Sequence, residues 1–228
     1  MSIAENLHII RKRIAEASMS SGRKPEDISL IAVTKTRTAA EADEAVHAGI
    51  SGIGENRVQE AKQKFPLLST SPSRHMIGHL QSNKAKDAVK LFDIIQSVDS
   101  LRLLAEIDKE AKKNNKIMDV LAEVNIGGEA SKSGMKPEEL PGFMAGAGKY
   151  LNIRVRGLMT IAPFLASSEQ VRPYFKKMKK LFDDAARFPA PNVKMEHLSM
   201  GMSGDFVTAI EEGATMVRIG SAIFGERK

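Results

Sequence analysis

Eight short apolar runs, separated by longer segments with helical periodicity, constrain this chain more than anything else in its sequence. They are ISLIAVTK (28–35), GISGIGE (49–55), RHMIG (74–78), LFDIIQSV (91–98), IMDVLAEVN (117–125), IRVRGLMTI (153–161), VKMEHLSM (193–200) and ATMVRIG (214–220). Runs of this length, rich in β-branched residues and bounded by turn formers, read as buried parallel strands. Most of the intervals between them carry Ala, Glu, Lys and Leu at helical spacing, and a further amphipathic helix is expected ahead of the first strand, from about Ile3 to Ser20, ending near Gly22. Eight strand–helix units match a (β/α)8 TIM barrel with an extra N-terminal helix, and an open doubly wound sheet is the main competitor. No linker or composition shift divides the chain, so residues 1–228 read as one domain, with FPAPN (188–192) as a loop before the seventh strand.

Composition excludes several chemistries. There is no Cys, which removes thiolate nucleophiles, disulfides and cysteine-ligated metal and fits a cytoplasmic protein. The first residues, MSIAENLHIIRKR, lack the uninterrupted apolar block of a signal peptide, and no stretch is long enough for a membrane span. The net charge of +6 comes from 34 basic and 28 acidic residues that are interleaved, and the basic runs at 111–113 and 176–180 fall on helical patterns. With no Trp and two Tyr, stacking platforms for nucleic acid are scarce, and no nucleic-acid partner is expected.

Reactive groups of a barrel come from the C-terminal ends of its strands. Here those ends are polar: Lys35; Glu55 and Asn56; Gly78 and His79; Asn125; Met159 and Thr160; SMGMSGD (199–205); and RIGS (218–221). Loops after the last two strands of such barrels recurrently bind phosphate through backbone N–H groups and a helix N-terminus. Ser199 and Ser203 beside Gly201 and Gly204, and Gly220 with Ser221, supply that chemistry, although Ser and Gly also serve as plain helix caps. Lys35 sits at a strand-to-helix turn, followed by the capping box of Thr38 and Glu41 and a helix stopping at Gly49. A partly desolvated lysine there is a nucleophile toward carbonyls; a structural ion pair is the competing reading. Arg218 precedes the last loop, and facing the interior it would hydrogen-bond a ring nitrogen and keep it unprotonated. His79 and His197 are weaker candidates, His8 and His47 fall in helices, His75 starts a strand, and no metal-binding pattern is present.

The segments LIAVTKT, GIGENRVQEAKQKF, HMIGHLQSNKAK, IQSVDS, NIGGEASKSGM, RGLMTIAP and LSMGMSGDFVTAIEEGATMVRIGSAIFGER together resemble the pyridoxal 5′-phosphate homeostasis protein family nearly from end to end. The resemblance implies a monomeric barrel like the N-terminal domain of alanine racemase, with pyridoxal 5′-phosphate held on Lys35 as an internal aldimine. It also implies phosphate contacts from Ser199, Ser203, Gly220 and Ser221, Arg218 at the pyridine nitrogen, and Asn56 near the cofactor. The implied role is buffering and delivery of the cofactor to apo-enzymes. Robust turnover is not expected, because racemase chemistry needs a second base on the opposite cofactor face and the chain stops where the barrel closes. A racemase-like enzyme and a Schiff-base aldolase acting on phosphosugars are the enzymatic alternatives.

Overall fold

The computed structural model describes residues 1–165, 167–188 and 190–226. Its strands are β1 (Ser29–Val33), β2 (Gly52–Glu55), β3 (Ser73–Met76), β4 (Ile94–Val98), β5 (Met118–Glu123), β6 (Ile153–Met159), β7 (Val193–Ser199) and β8 (Met216–Ile219). All neighbouring pairs are parallel, and β1 pairs with β8 as well as β2, which closes the barrel and removes the open-sheet alternative. The helices are α1 (Ile3–Ser20), α2 (Ala39–His47), α3 (Val58–Lys64), α4 (Ala85–Leu91), α5 (Leu101–Lys113), α6 (Leu140–Ala147), α7 (Ser168–Ala185), α8 (Phe206–Glu211) and α9 (Ser221–Phe224).

Each of the eight apolar runs holds one strand with its ends trimmed, except that β3 begins one residue ahead of its run, at Ser73. The largest revisions lie at the N-terminal ends of two runs. Leu91 closes α4, and Gly49, at φ +91°, turns the chain out of α2, so β2 begins only at Gly52. Apolar residues at a helix end and at a strand start merge into one run, which period alone cannot divide. In the expected loop 188–192, Pro189 lies outside the described residues; Asn192 ties the turn down by donating to the carbonyls of Ala147 and Tyr150, each at 3.0 Å.

The hydrophobic core lies between the strands and the helical ring. Ile53, Ile95, Phe92, Leu104, Ile107, Phe175 and Phe206 are fully buried there, and Phe65 meets Phe92 edge to face at 5.4 Å. Sheet closure makes one glycine obligatory: a Cβ on Gly157 would lie 1.8 Å from the His197 carbonyl oxygen, where β6 shifts register against β7.

The expected N-terminal helix is present, with a capping box of Ser2 and Glu5. It packs on the last unit of the barrel. Asn6 donates to the Ile223 carbonyl at 2.8 Å, Arg13 stacks over Phe206, and Arg23, just beyond the helix, donates to the Ala214 carbonyl at 2.8 Å and to that of Ile210. The helix therefore secures α8 and α9, the elements that follow β7 and β8.

Candidate functional site

At the C-terminal mouth of the barrel, one cleft is lined by Val33 at the end of β1 and Lys35, Thr36 and Arg37 after it, by Met202, Ser203 and Gly204 after β7, and by Gly220 and Ser221 after β8. Arg218, Phe164 and Gly225 also contribute to its walls, and its volume is about 430 Å³. Of the seven site residues expected from sequence, five therefore share one cavity: Lys35, Ser203, Arg218, Gly220 and Ser221.

The two glycine–serine loops form one structure. The Ser203 hydroxyl accepts from the Ala222 amide at 3.3 Å, so the loop after β7 is tied to the first turn after β8. Within the first loop, Asp205 accepts from the Met202 amide at 2.6 Å, and burial raises its carboxyl above the usual range. The result is a concave surface of hydroxyls and backbone next to α9, and Lys35 lines the same cleft from the end of the neighbouring β1.

Ser199 and Asn56 are placed differently. Ser199 is fully buried and absent from the cleft lining; its hydroxyl accepts from Arg218 Nη1 at 2.6 Å and donates to Gln96 Oε1 at 2.6 Å. Asn56 is half-buried at the end of β2, with its backbone pressed against Gly78, where a Cβ would come within 2.3 Å of the Asn56 carbonyl oxygen. His79 is half-exposed and stands 3.5 Å from Asp99, outside the cleft. His197 is half-buried, and burial lowers its pKa.

Beneath the cleft runs a chain of polar side chains that sequence reading did not find. Gln96 on β4 donates to His75 Nδ1 at 2.8 Å and lies 3.1 Å from the sulfur of Met216 on β8. Contact between β4 and β8 crosses the barrel, so this chain fills its interior. Because His75 accepts at Nδ1, its proton sits on Nε2 and is donated to Ser73 at 3.0 Å. Burial holds His75 neutral, lowering its pKa to about 4. Arg218 completes the chain: Nη1 rests on Ser199, and Nη2 donates to the Thr160 carbonyl at 2.8 Å. Burial pushes the guanidinium down to about 10, against the pull of Glu123 and Asp205, and it stays charged at neutral pH.

Glu123, at the end of β5, is the other group that was missed. It is 4% exposed, and its Oε2 has no hydrogen-bond partner. Burial, reinforced by Asp99, raises its pKa to about 7 although Arg218 opposes the shift. Gln96 and His75 could have been noticed as polar residues inside apolar runs. Nothing local distinguishes Glu123 from an ordinary acidic residue at a strand end.

The family model for the alanine racemase N-terminal domain matches residues 2–228. A pyridoxal phosphate homeostasis protein of Aquifex aeolicus is 44% identical, with both chains covered in full, and one from Escherichia coli is 39% identical over 99% of this chain and 97% of its own. This chain belongs to the pyridoxal phosphate homeostasis protein family. PipY of Synechococcus elongatus, solved with pyridoxal phosphate bound, superposes with a TM-score of 0.85 at 33% identity and covers 98% of this chain and 100% of its own. An alanine racemase from Clostridium difficile shares the fold, with a TM-score of 0.73 at 18% identity; the match covers 98% of this chain and 57% of the racemase.

Proposed function

We propose that this family member binds pyridoxal 5′-phosphate in the mouth of the barrel and serves in cofactor homeostasis, buffering the cofactor and delivering it to apo-enzymes. The observation that carries the reading is the convergence of Lys35, the joined Ser203 and Ser221 loops and the buried Arg218 on one cleft. These residues fit the group. The Lys35 amine matches an aldehyde, while the hydroxyls and glycine backbone of the loops match a phosphate. A fixed cation at the base matches an unprotonated ring nitrogen. When bound, the cofactor supplies an electron-accepting ring and a reactive aldehyde.

In this reading Lys35 would hold the cofactor through its aldehyde, and Ser203, Gly220 and Ser221 would hold the phosphate. Arg218 would face the ring nitrogen as a fixed cation and disfavour its protonation, which would weaken the electron sink and favour storage over turnover. Ser199 acts at one remove, fixing the Arg218 guanidinium against Gln96 rather than meeting the phosphate directly. Asn56, expected near the cofactor, follows β2 and does not line the cleft.

A racemase-like enzyme is the alternative reading, and turnover of an amino acid by the cofactor-loaded protein would favour it. The carrier is proposed to be a single-domain, cytoplasmic monomer. Among the described residues, no helix is long and apolar enough to cross a membrane.

The test is a visible spectrum of the purified protein, followed by borohydride reduction and peptide mass mapping. A yellow protein carrying a pyridoxyl group on Lys35 is expected, and Lys35→Ala should fold but form no reduced adduct. A colourless protein that stays unmodified after incubation with pyridoxal phosphate would overturn the reading and reopen an aldolase-type role for Lys35.

A further inference from the structure

Lys35 is flanked by an unusual piece of backbone. Thr36, immediately after it, has φ +63°, a left-handed conformation that β-branched residues rarely adopt. Asn115 is the other described non-glycine residue with positive φ, but asparagine tolerates that region and it lies just beyond the C-cap of α5. A conformation of this kind persists only when its surroundings impose it.

The surroundings in this case are an ion cluster in which Glu55 and Lys64 are buried and Glu60 is partly exposed. The Thr36 amide donates to Glu60 Oε1 at 2.5 Å. Lys64, only 6% exposed at the end of α3, donates to that same oxygen at 3.0 Å, to Glu55 Oε1 at 2.7 Å and to the Thr34 carbonyl at 2.6 Å. Its three protons thus have three acceptors. Glu55 Oε1 also accepts from the Thr34 hydroxyl at 2.6 Å. The residue before Lys35 and the residue after it are therefore both tied to one ammonium group, directly at Thr34 and through Glu60 at Thr36. Neither Glu55, Glu60 nor Lys64 lines the cleft, so whatever they do for the site passes through the backbone around Lys35.

We infer that Lys64 and Glu60 are positioning residues for Lys35, holding Thr36 in its left-handed conformation so that the Lys35 side chain leaves the end of β1 toward the cleft. This rests on the reading of Lys35 as the cofactor-bearing lysine. Lys64, despite its proximity, does not compete for the aldehyde, because all its protons are already donated.

The experiment is a double-mutant cycle between Glu60 and Thr36. Cofactor-stripped protein is mixed with pyridoxal phosphate, the rate and extent of visible-band formation are followed, and the adduct is mapped after borohydride; urea unfolding is measured in parallel. Glu60→Ala should slow or weaken capture at Lys35 by about tenfold. Glu60→Gln keeps an oxygen acceptor for the Thr36 amide and should stay within about threefold of the parent. Glycine adopts positive φ without steric cost, so in the Thr36→Gly background Glu60→Ala should change capture by less than about threefold. Lys64→Met should follow Glu60→Ala if it folds, and the Glu60 cycle decides the matter if it does not.

Equal effects of Glu60→Ala in both backgrounds would overturn the inference. So would variants that lose stability yet capture the cofactor normally, since the cluster would then only brace the barrel. A parent protein that forms no adduct at Lys35 would instead sink the cofactor reading, and this inference with it.

Discussion

Replacing Glu123 with glutamine should make the protein's stability less sensitive to alkaline pH, by an amount that follows from where the carboxyl sits. Its side chain is almost wholly buried, Oε2 has no partner, and burial raises its pKa from an ordinary 4.5 to about 7. The folded state therefore holds this proton more tightly than the unfolded chain does. Such a group favours folding below pH 4.5, and the benefit is lost as pH rises through 7. At about 1.4 kcal/mol per pKa unit the full span is about 3 kcal/mol. Between pH 5 and pH 8.5 the share lost is about 2.5 kcal/mol. Glutamine mimics the protonated carboxyl and does not titrate. In urea unfolding of cofactor-stripped protein, the stability of Glu123→Gln relative to the parent should rise by about that amount between the two pH values. The absolute offset at either pH also depends on how the new amide is accommodated beside Arg218; the change with pH does not. Parallel stability curves would refute the reasoning, showing that the carboxyl is ionised throughout or reached by water.

His75 should show the opposite dependence. Its pKa is lowered to about 4, so stability is full above 6.5 and falls toward pH 4 as the unfolded chain takes up the proton, by up to about 3 kcal/mol; a non-titrating His75→Gln should lack that component in acid unfolding curves. Arg218→Met, by leaving the Ser199 hydroxyl and the Thr160 carbonyl without their buried donor, should destabilise the protein by about 3 kcal/mol in urea unfolding and alter the spectrum of added pyridoxal phosphate. Gly78→Ala should destabilise by several kcal/mol, on the order of 3, because the new methyl meets Asn56 backbone at 2.3 Å rather than a side chain that could move; a thermal midpoint within about 2 °C of the parent would refute it.

The barrel was legible because its signal is redundant. Eight apolar runs report eight strands even though Leu91 and Gly49 were credited to strands when they belong to helix ends. The two glycine–serine loops were legible because serine and glycine at a strand end are chemically specific and close together in the chain. The interior was not. Gln96 touches Ser199, more than a hundred residues away, and Met216, further still, across the barrel. Local sequence cannot show that a glutamine in IIQSV faces a serine in HLSM. The same distance explains why Ser199 was expected among the phosphate contacts: the motif puts it beside Ser203, whereas strand alternation sends it down into the barrel under Arg218.

That interior bears on how the site works. Packing a barrel with His75, Gln96, Ser199 and Arg218 forgoes the stability that apolar side chains would give, so the arrangement has to be read for what it fixes. Each member has its partner: histidine accepts from glutamine, glutamine accepts from serine, serine accepts from arginine, and arginine donates onward to the Thr160 carbonyl. The direction of every hydrogen bond is set by the neutral state of His75, which leaves Nδ1 free to accept. Protonating His75 would turn Nδ1 into a donor facing the Gln96 amide, forcing that amide to flip and removing the acceptor that Ser199 uses. Below about pH 4, then, the chain should fail from the His75 end, with Arg218 losing its fixed hydroxyl before Lys35 and the glycine–serine loops are disturbed. An acid titration of the bound cofactor's spectrum, set against far-ultraviolet circular dichroism, should show the ring environment changing at higher pH than the barrel unfolds. Coincident transitions would mean that Arg218 is held by the barrel as a whole and not by this chain of side chains.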